Sequence, residues 1–191
     1  MTVGLLGGTF NPPHNGHARL ASCARERFEL GRLLALVSVA PPHKRVDVDA
    51  DVRLRLAELA LADAEVVRDE NPYSIDTVKG HGDDAIFLVG ADQLANFLSW
   101  REPDEILEHV RLGVATRPGY PHDELDYVLE RLRRPERVEL FDMEPVPISS
   151  SEVREKVARG EPIDDLVPAA VAREIERLGL YRRDPRYAVP A

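Results

Sequence analysis

Two stretches far apart in the chain carry residue types suited to holding a phosphate chain. The first is Gly7-Gly8-Thr9-Phe10-Asn11-Pro12-Pro13-His14-Asn15-Gly16-His17, directly after the apolar run Val3-Gly4-Leu5-Leu6. Glycines let backbone approach an anion closely, and a helix starting here aims free N–H groups and positive dipole at it. His14 and His17, three residues apart, add side-chain donors on one helical face. A glycine pair read alone is a tight turn. Two glycines, a proline pair and histidines on both sides of Gly16, all after a strand, are harder to reduce to one. The second stretch is Ile148-Ser149-Ser150-Ser151-Glu152-Val153-Arg154, where hydroxyls, a helix start and a guanidinium fork all favour phosphate oxygens. Taken alone, Ser149 three residues before Glu152 is also a capping box, so these serines read as a plain helix cap too.

The elements that must position these residues follow from periodicity. Apolar runs at 3–6, 33–39, 85–89, 112–115 and 138–141 read as strands, with a weaker one at 65–68. Helical patterns fall at about 16–29, 50–63, 103–109 and 123–133, then at 149–159 and 168–178. In the first helix Leu20, Ala24 and Phe28 form a core stripe, and in the second Leu56, Leu59 and Ala60 share a face. The last helix starts at Pro168 and stops at Gly179. Alternating strands and helices predict an α/β fold, a Rossmann-like, doubly wound, mostly parallel sheet with helices on both faces. Ligands in such sheets sit beyond the carboxyl ends of the strands, where residues 7–17 open. The stretches 41–51 and 69–74 read as irregular. Residues 1–182 are expected to form one domain, with 183–191 as a frayed tail.

Composition narrows the function. The 191 residues are 43% hydrophobic and 31% charged, ordinary for a globular protein. A formal net charge of −9 argues against a nucleic-acid binder but not against a nucleotide enzyme, since local cations can line a cleft on an acidic protein. Cys23 is the single cysteine, read as a buried or half-buried thiol in a reducing compartment. No secretory signal is evident and the longest apolar run, near 33–40, is too short for a bilayer, so a cytoplasmic location without membrane contact is expected. The six histidines and the cysteine show no zinc spacing, so no protein-bound metal is expected.

The first stretch resembles the His-x-Gly-His signature of the nucleotidylyltransferase superfamily, shared with class I aminoacyl-tRNA synthetases. The chain has no room for a synthetase's anticodon-binding domain. Residues 148–154 resemble the superfamily's second signature, Ile-Ser-Ser-x-x-x-Arg. Further segments look like bacterial nicotinate-nucleotide adenylyltransferase: Pro41-Pro42-His43-Lys44, Pro72-Tyr73-Ser74-Ile75-Asp76-Thr77, Gly90-Ala91-Asp92-Gln93-Leu94 with Trp100, Arg117-Pro118-Gly119-Tyr120, and the closing Gly179-Leu180-Tyr181-Arg182. The ordered set, rather than any one motif, carries the resemblance.

That resemblance implies the roles that follow. ATP is held by Gly7, Gly8, Thr9, Phe10, Asn11, Gly16, Asp92, Ile148, Ser149, Ser150 and Arg154, with Asp92 on ribose hydroxyls. His14, His17 and Arg154 are catalytic and stabilise the leaving pyrophosphate. The mononucleotide is held by Lys44, Tyr73, Ser74, Thr77, Trp100 and Arg117, with Trp100 stacked on the pyridine. An aromatic face suits a pyridinium cation. Arg53 matches another basic position of the family; read alone, it is a solvated surface charge. Asn11 stands where many relatives carry aspartate, and 79–84 is shorter than the helix usual there. The implied reaction joins the adenylyl group of ATP to nicotinate mononucleotide, in NAD biosynthesis. The attacking phosphate is already an anion, so alignment and charge stabilisation replace a general base. Mg2+ is expected to ride on the ATP phosphates, and relatives are often homo-oligomers. Nicotinamide mononucleotide or phosphopantetheine as acceptor, or a non-catalytic nucleotide-binding regulator, are the competing readings.

Overall fold

The computed structural model describes residues 1–42, 46–116, 123–144 and 146–182. Lys44 and Arg117, both expected near substrate, and the tail 183–191 lie outside the described residues. Six strands form one parallel sheet: β1 (Val3–Gly8), β2 (Arg32–Ser38), β3 (Glu65–Asp69), β4 (Ala85–Gly90), β5 (Arg111–Thr116) and β6 (Val138–Asp142). Their order across the sheet is β3-β2-β1-β4-β5-β6, so the winding reverses between β1 and β4. The expected doubly wound, Rossmann-like α/β fold is the observed one. β1 stays in register with β2 as far as Gly8↔Val37 but pairs with β4 only from Val3 to Leu5. Past Leu5 the two central strands part, and a crevice opens at the switch point.

The period of two along each strand sorts the core into two layers. Leu5, Leu34, Leu36, Phe87 and Val89 face one way, packed with α3 (Ser74–Val78), α4 (Ala91–Ala95), α5 (Pro103–His109) and α6 (Asp123–Leu129) through Ile75, Leu94, Ile106 and Leu125. Leu6, Leu33, Ala35, Val37, Ile86 and Leu88 face the other way, against Ala21 and Ala24 of α1 (Asn15–Arg27) and Ala57 of α2 (Ala50–Ala60). A further cluster lies outside α2. Leu56 turns away from the sheet and packs with Val153 of α7 (Ser150–Arg159) and Val171 and Ile175 of α8 (Ala169–Leu178). This layer brings the C-terminal third of the chain back to the crevice.

Most predicted elements stand, with ends shifted by a few residues. Residues 103–109 agree throughout, the weak edge strand is β3, and α8 ends as expected at Gly179, whose φ of 62° suits glycine. Helix α2 stops at Ala60 and α6 at Leu129, both short of their patterns. The five-residue helices α3 and α4 were not anticipated, because one turn and a half is too short to show a period. Cys23 is half-buried, as expected. No helix among the described residues is long and apolar enough to cross a membrane.

Candidate active site

β1 runs out at Gly8 into a turn whose shape depends on Phe10. The Phe10 ring is 1% exposed, lies against Gly8 and approaches the His17 ring with centroids 5.1 Å apart. Its φ of 48° is costly for a bulky L-residue and is held by that burial. α1 then begins after His14, in extended conformation at the cap position. The His14 N–H donates to His17 Nδ1 at 3.1 Å. With that lone pair engaged, Nε2 is the ring nitrogen of His17 left to donate. The two imidazole centroids are 3.9 Å apart. Burial pushes the His14 pKa down from 6.5 to about 4, opposed by Glu152, so His14 is neutral at pH 7. Its Nδ1 is buried and has no hydrogen-bond partner among the described residues. Gly16 makes this packing possible: a Cβ there would lie 2.9 Å from His14 Nδ1 and 3.0 Å from its Cε1.

The second stretch meets the first directly. Ser149 caps α7, its hydroxyl accepting the Glu152 N–H at 3.1 Å, as the capping-box pattern predicts. Ser150 Oγ donates to the Pro12 carbonyl at 2.8 Å, and the Arg154 guanidinium donates to the Asn11 carbonyl at 2.7 Å and to Ser151 Oγ at 3.0 Å. Ser150 therefore spends its proton on the turn and presents lone pairs elsewhere, whereas the remaining N–H groups of Arg154 stay available. By helix geometry the Ser150 and Ser151 N–H groups have no intrahelical carbonyl to pair with. Asn15 ties the start of α1 to the α7–α8 connection, with its N–H on Leu166 O at 2.9 Å and Nδ2 on Asp165 O at 3.0 Å.

A cavity of about 1030 Å3 lies between the two stretches, lined by Gly7, Gly8, Thr9, Asn11, His14, Gly16 and His17 on one side and Ile148, Ser149, Ser150 and Arg154 on the other. Asp92, exposed in the first turn of α4, closes it from the β4 end. Phe10 is not part of the lining: its ring is core, so it shapes the turn without offering a side chain. Gly7, Gly8 and Thr9 also border a compartment of about 210 Å3 holding Tyr73, Ser74, Thr77 and Trp100. That compartment shares Tyr73, Ser74 and Trp100 with a third, of about 700 Å3, which reaches Arg101. Trp100 is half-buried, its ring 5.3 Å from Phe97 and 6.2 Å from Phe87. Arg101 lies over the Tyr73 ring at 4.6 Å. Thr77 is buried, and its hydroxyl donates to Asp69 Oδ2 at 2.8 Å.

Arg53 corrects the surface-charge reading. It is 1% exposed, and its guanidinium donates to the carbonyls of Thr9 (2.8 Å), Ser38 (2.7 Å), Val39 (3.0 Å) and Val48 (3.1 Å). It is a clamp under the glycine-rich turn, not a solvated charge. The signal was its place three and four residues before Leu56 and Ala57, on the buried stripe of α2. Gln93, noted only as part of the Gly90–Leu94 segment, and Arg101 also line the cleft, though the sequence reading assigned neither a role. Neither stands out by type or spacing.

Comparison with known proteins follows the same lines. A cytidylyltransferase-like family model matches residues 5–156. The chain is 37% identical over 193 residues to the "Probable nicotinate-nucleotide adenylyltransferase" of Bordetella avium, covering 94% of this chain and 98% of that protein. It is 41% identical over 196 residues to the protein of the same name from Bordetella petrii, with the same coverage of both. Among solved structures, Plasmodium falciparum nicotinic acid mononucleotide adenylyltransferase complexed with NaAD superposes with a TM-score of 0.74 at 15% identity, covering 94% of this chain and 97% of that one. At that identity the likeness speaks for the fold alone. With the family model spanning both phosphate stretches and the relatives matching almost end to end, the chain belongs to the cytidylyltransferase-like family, among its nicotinate-nucleotide adenylyltransferases.

Proposed function

We propose that this protein transfers the adenylyl group of ATP to nicotinate mononucleotide, giving nicotinate adenine dinucleotide and pyrophosphate, a step of NAD biosynthesis. One observation carries the reading. The two phosphate-binding stretches are hydrogen-bonded to each other at the switch point, and the cavity between them runs on into an aromatic pocket. ATP lies in the larger cavity, its triphosphate between the His14–His17 pair and the start of α7, and its ribose near Asp92. The mononucleotide lies toward Tyr73, Ser74 and Thr77, its pyridine against Trp100. Thr77 spends its proton on Asp69, so α3 engages the pyridine carboxylate through other donors.

Chemistry here is alignment and charge stabilisation. The attacking phosphate oxygen reaches the α-phosphorus in line, while His17 Nε2–H, Arg154 and the first turn of α7 stabilise the leaving pyrophosphate. Among the described residues no group of three or more His, Cys, Asp or Glu is placed to hold a metal ion. Mg2+ riding on the ATP phosphates would neutralise part of their charge.

Pyrophosphate release from ATP, measured separately with nicotinate mononucleotide, nicotinamide mononucleotide and phosphopantetheine, tests the reading. Turnover is expected with the first at least tenfold above the others. Preference for another acceptor reassigns the second substrate, and ATP binding without turnover on any acceptor leaves a nucleotide-binding regulator.

A further inference from the structure

One half-buried side chain bonds a residue of the nucleotide cavity without lining that cavity itself or belonging to either phosphate-suited stretch. After α8 the chain turns at Gly179, whose N–H bonds Glu176 O, and Leu180 N–H returns to Ile175 O at 3.0 Å. Tyr181 follows with φ of 60°, a left-handed conformation that a large side chain adopts only when its surroundings hold it there. Its ring packs on the cluster of Leu56, Val153 and Val171. Its hydroxyl donates to Asn11 Oδ1 at 2.8 Å, across 170 positions of sequence. Burial pushes the phenol pKa up, against the opposing pull of Arg154 and Arg53, so the group remains a protonated donor over the ordinary pH range.

The consequence falls on Asn11, which is 8% exposed and lines the nucleotide cavity. Its backbone carbonyl is taken by Arg154 and its side-chain oxygen by Tyr181. A side-chain amide has one acceptor end and one donor end, so fixing the first fixes the second. What Asn11 has left to offer a ligand is its N–H2. We propose that Tyr181 is a positioning residue of the nucleotide site: its hydroxyl sets the orientation of the Asn11 amide, so that the N–H2 end serves as a donor to the phosphate chain of ATP. The C-terminal segment thereby contributes to nucleotide affinity without touching the nucleotide. This rests on the reading of the larger cavity as the ATP site.

The test is a double-mutant cycle read by direct binding of ATP with Mg2+, with no mononucleotide present, in calorimetric titrations. Tyr181→Phe keeps the ring and its packing and removes only the hydroxyl. It is expected to weaken ATP binding about fivefold, the effect of one neutral hydrogen bond. In an Asn11→Ala background the same change is expected to weaken binding less than twofold, because there is no amide left to orient. Affinity for nicotinate mononucleotide, titrated alone, is expected to change less than twofold throughout. Equal losses in both backgrounds make Tyr181 a general support of the fold and overturn the proposal. Unchanged ATP affinity in Tyr181→Phe overturns it too. Failure of the unsubstituted protein to bind ATP overturns the nucleotide reading itself, and this inference with it.

Discussion

At the nucleotide end of the cleft, Arg53, Ser150 and Arg154 converge from two helices on the carbonyls of Thr9, Pro12 and Asn11. At the other end Trp100 leans on Phe87 and Phe97, and Arg101 lies over Tyr73. The first region is held by directional bonds to backbone, the second by ring contacts on short helices. A triphosphate is recognised by its charge and by the spacing of its oxygens, which demands donors fixed to within a fraction of an ångström. A pyridine ring asks for a face and an edge, which a few aromatic side chains supply with looser geometry. Substitutions at the first end should therefore affect turnover and fold strongly. Those at the second should affect one substrate's affinity.

His17→Ala gives the largest expected effect. Losing the Nε2 donor should lower kcat about 10²- to 10³-fold, as removal of one oxyanion donor does elsewhere, and losing the acceptor of the His14 N–H should lower the thermal unfolding midpoint while the variant still folds. Near-normal turnover in the folded variant would erase the contrast between the two ends. Arg53→Met should come next, and through stability. It strips donors from four carbonyls beneath the turn, costing on the order of 3 kcal/mol, visible in the urea midpoint. A midpoint within error of the unsubstituted protein would return Arg53 to the surface-charge class.

Trp100→Ala tests the other end. We expect KM for nicotinate mononucleotide to rise about tenfold and KM for ATP less than twofold, from lost stacking. Equal rises in both would mean that the aromatic pocket and the phosphate cradle are one mechanical unit. The last effect concerns pH. Folding holds His14 neutral, with a pKa of about 4 in place of 6.5. The unfolded chain then binds more protons between those values, so stability declines as pH falls from 6.5 toward 4 and is flat above 6.5 with respect to this group. His14→Gln should show a shallower acid slope in urea midpoints measured from pH 7 to 4.5. Identical slopes would assign the acid sensitivity to other groups.

Legibility in the sequence followed the length of each signal. Strands were readable as short continuous apolar runs, buried on both faces as in β2, and long helices because burial writes a period of 3.6 over many residues, as in α8. The cap of α7 was readable because Ser149 and Glu152 are local partners. Helices α3 and α4 were not, since five residues hold no period. Arg53 was misread because an arginine's type says nothing of what it faces. Burying a guanidinium is tolerable only where several carbonyls converge, and Thr9 and Ser38 come from other elements.

The sequence by itself determined the doubly wound sheet and two stretches whose residue types suit phosphate, because these depend on local pattern and residue type. The tertiary structure alone decided that Arg154 and Ser150 lock onto the Asn11–Pro12 carbonyls, that His17 Nδ1 accepts the His14 N–H, that Arg53 donates to the carbonyls under the turn and that Tyr181 reaches Asn11. Each is a hydrogen bond whose strength depends on distances set by the packing of α2, α7 and α8 against the sheet. No local rule of sequence encodes those distances.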